Sequence, residues 1–155
     1  MWGEQMTPAV SFNANWLMEQ EFPPLKYVVP GIVPEGMTLL VAAPKIGKSW
    51  MALGLGLDLS NGGEAFGALP VGGSRPVLYL ALEDGQRRLQ DRLRSLNPPR
   101  FSEELEFITT MEDSLVIDTV NNYMAAHAGL DPVVILDTLG KVMPPAQGNA
   151  SAYAH

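Results

Sequence analysis

The chain has 155 residues, 46% of them hydrophobic, and 10 Lys and Arg against 17 Asp and Glu give it a net charge of -7. That length supports one sizeable core and argues for one domain, and the acidic balance disfavours broad adsorption to nucleic acid or an anionic membrane, leaving only a local basic groove open. The absence of cysteine excludes disulfides, thiol chemistry and cysteine-based zinc sites, and with His127 and His155 the only histidines no histidine metal site is expected.

Residues 1–25 read as an N-terminal arm. They mix Pro, Asn and acidic residues around a short helix expected near Asn15 to Gln20. The opening "MWGEQMTPAV" lacks the basic start and long apolar run of a secretory signal, and no apolar run approaches membrane-spanning length, so a soluble, cytoplasmic protein without a membrane partner is expected. "EFPPLKYVVPGIVPEG" then strings prolines and glycines into chain laid over a core rather than into a central strand.

The core is expected over residues 26–141. Met37 to Ala43 is a largely apolar run, the pattern of a strand covered on both faces. "GKSWMALGLGLDLSNGG" follows as a buried helix ending near Asn61 to Gly63, with Gly54 and Gly56 allowing a neighbour close. "PVLYLAL", Pro76 to Leu82, is a second buried strand. "GQRRLQDRLRSL" puts Leu89, Leu93 and Leu96 on one helical face and stops at "NPP"; its arginines, interleaved with Asp91, read as a solvated face. "LEFIT", Leu105 to Thr109, suits a short edge strand. Leu115, Ile117, Val120 and Met124 suggest an amphipathic helix ending at Gly129, and "DPVVILDTLG" gives a third buried strand finishing on Asp137. Strands alternating with helices argue for a parallel α/β sheet. The tail, 142–155, carries no strong element beyond a possible helix start at Asn149 or Ser151.

The chemistry concentrates in "AAPKIGKS", Ala42 to Ser49, close to the phosphate-loop pattern G-x-x-x-x-G-K-[ST]. A phosphate chain needs clustered backbone N–H donors, a helix N-terminus and a cation. Ala43, Pro44, Lys45, Ile46, Gly47, Lys48, Ser49 and Trp50 are the candidate nucleotide-binding residues. Gly47 lets the backbone approach, Lys48 would reach the β- and γ-phosphates, and the Ser49 hydroxyl would ligate Mg²⁺. Lys45 reads either as a second phosphate contact or as an exposed lysine. Ala42 stands where the pattern has its first glycine, so that turn must use angles a residue with a Cβ can adopt. Asp137, after four apolar residues, is the candidate to hold Mg²⁺ through water. Glu83, at the end of the second strand, is the candidate to deprotonate an attacking water, and Asp84 is expected to cap the helix that follows.

With these residues in place the chain resembles the RecA-like P-loop ATPases, and among them the RepA-type hexameric helicases and AAA-family ATPases of plasmids and phages. The resemblance rests on "VPEGMTLLVAAPKIGKSWMALGLGLDLSNGG", "VLYLALEDGQRRLQDRL" and "VVILDTLGK", and covers about Tyr27 to Lys141. It implies an α/β RecA-like P-loop fold, ATP and Mg²⁺ as ligands, Glu83 as catalytic glutamate and Asp137 as the Mg²⁺-side aspartate.

The family's sheet carries a further strand, with a γ-phosphate-sensing residue, between the Asp137 strand and the loop strand. No apolar run after Asp137 supplies it, so the chain looks like the first half of such a core. The facing edges are then expected to pair with each other, stay open, or be filled by another chain. That predicts a homo-oligomer or a complementing ATPase subunit as partner, with single-stranded DNA bound through the assembly. The competing expectations are a non-catalytic nucleotide-binding or oligomerisation module and, more distantly, a P-loop kinase or GTPase.

Overall fold

The structure is a computed structural model and describes residues 11–141. The expected tail, with its helix start, and the first ten residues of the arm lie outside the described residues. In chain order the elements are α1 (Ala14–Met18), β1 (Tyr27–Val29), β2 (Val33–Pro34), α2 (Lys48–Asn61), β3 (Gly63–Ala65), β4 (Leu69–Gly72), β5 (Val77–Ala81), α3 (Gln86–Leu96), β6 (Leu105–Ile108), α4 (Val116–Ala126) and β7 (Val133–Asp137). The arm does hold a short helix, opened by the Asn13 side chain, which accepts the Trp16 backbone N–H at 2.9 Å.

Strands β6, β5 and β7 form a parallel sheet in that order, with Tyr79 opposite Phe107 on one side and Ile135 on the other. The apolar run of β5 makes it the central strand, buried at all five positions. Its side chains alternate between two covering layers. Tyr79 and Ala81 pack with Leu53 of α2 and Leu89, Leu93 and Leu96 of α3. Leu78 and Leu80 pack on the opposite side with Val116, Val120 and Tyr123 of α4. Helices on both faces of a parallel sheet are the expected α/β architecture.

The direction of α2 follows from its packing. Leu53, near its start, meets Ala81 at the end of β5, whereas Leu59, near its finish, clusters with Val77 at the strand's beginning. The N-terminus of α2 therefore lies at the C-terminal edge of the sheet. The helix stops where expected: Gly62 takes φ 74° and ψ 177°, a conformation essentially reserved for glycine, and a Cβ there would lie 2.6 Å from the Ser74 backbone nitrogen. Gly54, expected to admit a neighbour, faces open space; at Gly56 a methyl would only just touch Ile135, Leu105 and Tyr79.

Three expectations are corrected. Met37 to Ala43 forms no strand: it pairs with nothing among the described residues, with Met37 97% and Val41 78% exposed. Apolar sequence becomes a buried strand only beside a neighbour with free backbone groups, and β7, likewise, pairs on one side only. Within the described residues the two edges do not pair with each other. Next, α4 turns Val116, Val120 and Tyr123, at i, i+4 and i+7, to the sheet, with Val116 and Tyr123 buried and Val120 half-buried, while Leu115, Ile117 and Met124 are exposed. Finally, the Pro- and Gly-rich segments are more than coverings: β1/β2 and β3/β4 are antiparallel hairpins whose Val29, Ala65 and Val71 join Leu59 and Val77 in one buried cluster.

Candidate functional site

The C-terminal edge of the parallel sheet gathers the start of α2, the end of β5 and the end of β7. Its first part is the loop Ala42 to Gly47. The left-handed positions in this loop are Lys45, at φ 64°, and Gly47, at φ 97°. Ala42 is not one of them, so the missing first glycine imposes no backbone strain on the loop; the residue held in a conformation that favours glycine is Lys45. Gly47 is the N-cap of α2 and offers no side chain to its N–H groups, which leaves the first-turn donors of a fourteen-residue helix uncapped by any side chain. Lys48 folds back over the loop. Its Nζ donates to the Ala42 carbonyl at 2.6 Å and the Ala43 carbonyl at 2.9 Å. Ser49 is half-buried in the same first turn, while Pro44, Lys45, Ile46 and Trp50 are exposed around it.

Parallel pairing brings the acids to the same edge. Asp137 stands opposite Ala81, and the Leu82 N–H donates to the Asp137 carbonyl at 2.9 Å, so Glu83 emerges beside the end of β7. Glu83 is exposed, in the turn between β5 and α3. The Asp137 carboxylate is held from within the sheet: Tyr79 Oη donates to its Oδ2 at 2.9 Å. Burial first, then the charge of Asp137 and the hydrogen bond to it, push the Tyr79 hydroxyl well above the ordinary tyrosine range, so it stays a donor at neutral pH.

Asp84 does not cap α3. That N-cap is Gly85, and the Asp84 carboxylate, almost buried, instead accepts from Arg92 and pairs with Arg88 at 3.3 Å. Arg92 also lies over the Trp50 ring, 5.6 Å from its centroid. The expectation of a wholly solvated arginine face therefore fails at Arg92, whose side chain is 14% exposed, and holds at Arg88 and Arg94. The cluster links the first turn of α2 to the turn bearing Glu83. Tyr79 and the Arg92 cluster were not singled out from sequence; both depend on contacts between separate elements, and only the interruption of an apolar strand by a tyrosine hinted at the first.

These groups fit a magnesium nucleotide. Free helix amides, a lysine and a hydroxyl suit phosphates and a hard cation, and no group of three or more Asp, Glu or His gathers as an all-protein metal cage among the described residues. A concavity of about 300 Å³ lined by Ser74, Arg100 and Glu104 lies by the strand beginnings, away from this edge.

A three-stranded parallel sheet between helices, with a phosphate-type loop opening α2 at its C-terminal edge, defines a P-loop ATPase fold of the RecA-like kind. A protein-family model described as "AAA domain" matches residues 4–154, and the chain belongs to that family. It is a nucleotide-binding AAA-type ATPase module; such domains typically bind nucleotide with Mg²⁺ and commonly oligomerise. No solved structure matches the chain. Among the described residues, no helix is long and apolar enough to cross a membrane.

Proposed function

We propose that the chain binds and hydrolyses ATP as the RecA-like domain of a helicase or related DNA-metabolism ATPase of the RepA type. The observation that carries this reading is the convergence of Lys48, Ser49, Glu83 and Asp137 on one sheet edge. In it, Lys48 exchanges the Ala42 and Ala43 carbonyls for phosphate oxygens, and the amides around Gly47, with Ala43 to Ile46 and Trp50, line the phosphate chain. Ser49 and, through water, Asp137 hold Mg²⁺, which when bound neutralises phosphate charge. Glu83 takes a proton from the attacking water as its oxygen bonds the γ-phosphorus and the bond to ADP breaks. Positioning and charge stabilisation supply most of such catalysis.

The test is steady-state ATP turnover, with and without single-stranded DNA. Turnover should fall at least about a hundredfold in Glu83→Gln, the scale of a lost general base, while nucleotide binding stays within about twofold. Absence of Mg-ATP binding by the parent chain would overturn the reading. Binding without turnover would favour a second one, a non-catalytic nucleotide-binding or oligomerisation module, to which the open edge of β7 lends support.

The same edge bears on partners. Met37, Leu39, Leu40 and Val41 are exposed, and β7 is half-buried and paired on one side only. We read this as a surface for a homo-oligomer or a complementing ATPase subunit, and expect light scattering to show mass rising with protein concentration. A compact monomer that unfolds cooperatively at every concentration would count against it. The divisions 1–25, 26–141 and 142–155 are proposed on the same reading as arm, ATPase core and tail, in a cytoplasmic protein.

A further inference from the structure

The sheet face beneath α2 is apolar except at Tyr79 and, at the end of β7, Asp137. Tyr79 is 2% exposed, with its ring among Leu53, Ala81, Leu89 and Ile135 and 5.7 Å from the Phe107 ring. Phenylalanine would fill that space. A buried hydroxyl costs about 1–3 kcal/mol unless it is hydrogen-bonded, so its presence calls for a partner. Its partner is Oδ2 of Asp137, fifty-eight residues along the chain. Asp137 Oδ1 takes no hydrogen bond from the described residues.

Strand register makes the contact specific. Tyr79 lies opposite Ile135, and Asp137, two residues further along β7, projects from the same face of the sheet. A carboxylate at the last residue of a strand, half-exposed, otherwise has several rotamers open to it. The phenol holds one of them with a charge-assisted hydrogen bond from the protected side. The same ring lies beneath α2, whose first turn bears Lys48 and Ser49.

We propose that Tyr79 is a positioning residue for the magnesium nucleotide: its hydroxyl fixes Asp137 with Oδ2 engaged and Oδ1 free for a metal-bound water. The assignment rests on the reading of Ser49 and Asp137 as the Mg²⁺ side of the site. Loss of an outer-shell partner lowers metal affinity by about 10–100-fold, and because Asp137 acts through water the lower figure applies.

The experiment is titration of the full chain with a fluorescent ATP analogue, once in EDTA and once across Mg²⁺ concentrations. Tyr79→Phe should bind the analogue in EDTA as the parent does, yet need about tenfold more Mg²⁺ for half-maximal tight binding. In an Asp137→Asn background, Tyr79→Phe should leave the Mg²⁺ midpoint unchanged, because the carboxylate it positions is gone. An unshifted midpoint in the single variant overturns the assignment. So does an equal loss of binding with and without Mg²⁺, or failure of Tyr79→Phe to fold, since either makes the hydroxyl a purely structural group. A parent chain showing no nucleotide binding overturns the underlying reading as well; a parent that binds normally beside an unaffected Tyr79→Phe overturns the positioning role alone.

Discussion

Lys48→Ala is expected to bind ATP at least about a hundredfold more weakly than the parent chain while melting within a few degrees of it. The ammonium now donates to two loop carbonyls, at 2.6 and 2.9 Å, and those bonds cap oxygens that water can also reach, because Ala43 is exposed and Ala42 half-buried. Replacing them with water costs about 1 kcal/mol or less. Against phosphate the balance differs. A lysine donating to an anionic oxygen makes a charge-assisted bond worth about 1.5–3 kcal/mol, and two of them supply roughly 3 kcal/mol or more, a factor above one hundred in affinity. Lys45, the other lysine of the loop, is exposed and makes no such bonds to the loop carbonyls among the described residues. Titration with a fluorescent ATP analogue, beside thermal melts followed by circular dichroism, measures both quantities. Equal affinity in Lys48→Ala and parent would remove the loop from the binding site.

The sequence was most legible where one segment carries its own information. The largely apolar run of β5, the Leu89–Leu93–Leu96 stripe of α3 and the Gly62 stop of α2 each follow from local pattern and backbone chemistry. Legibility failed where burial depends on a neighbour. Met37 to Ala43 has the composition of a central strand, but composition does not supply the adjacent backbone that would pair with it. The β3/β4 hairpin was hidden for another reason: its turn puts Phe66, at φ 54°, ahead of Gly67, where Asn or Asp would have announced a left-handed residue. In α4 the buried face includes Tyr123, which a count of aliphatic residues passes over.

At the candidate site the same division holds. Gly47, Lys48 and Ser49 are read from spacing, and Glu83 and Asp137 from their place at strand ends, because α/β sheets present ligand groups there. Lys45 shows what spacing omits: pattern matching drew attention to Ala42, but the position under conformational demand lies three residues on. The Tyr79–Asp137 and Asp84–Arg92–Trp50 contacts are tertiary. Asp84 had a plausible local use as a helix cap, and the arginines had one as a solvated face. Asp84 and, alone among these arginines, Arg92 gave up those roles because a buried carboxylate and a nearly buried guanidinium satisfy each other better than either local role would.

That last contact gives the largest expected effect on stability. In Asp84→Ala, Arg92 stays in a position with 14% side-chain exposure and loses the carboxylate that compensates it. Removing one member of a buried pair costs about 3–5 kcal/mol; partial exposure and the Trp50 ring soften this, so about 3 kcal/mol is expected, or roughly a 10 °C fall in melting temperature. Asp91→Ala is the internal control. Its partner Arg94 is 3.9 Å away and both side chains are about two-thirds exposed, so the change should be within about 0.5 kcal/mol. A further variant separates charge compensation from simple loss of packing. Replacing both members, Asp84→Ala with Arg92→Leu, removes the uncompensated guanidinium along with the carboxylate. The double variant should therefore melt above Asp84→Ala, since an apolar side chain tolerates that site better than a stranded charge. If the double variant instead melts lower by the sum of the two single effects, Arg92 acts through its own packing against Trp50 and the pairing with Asp84 contributes little.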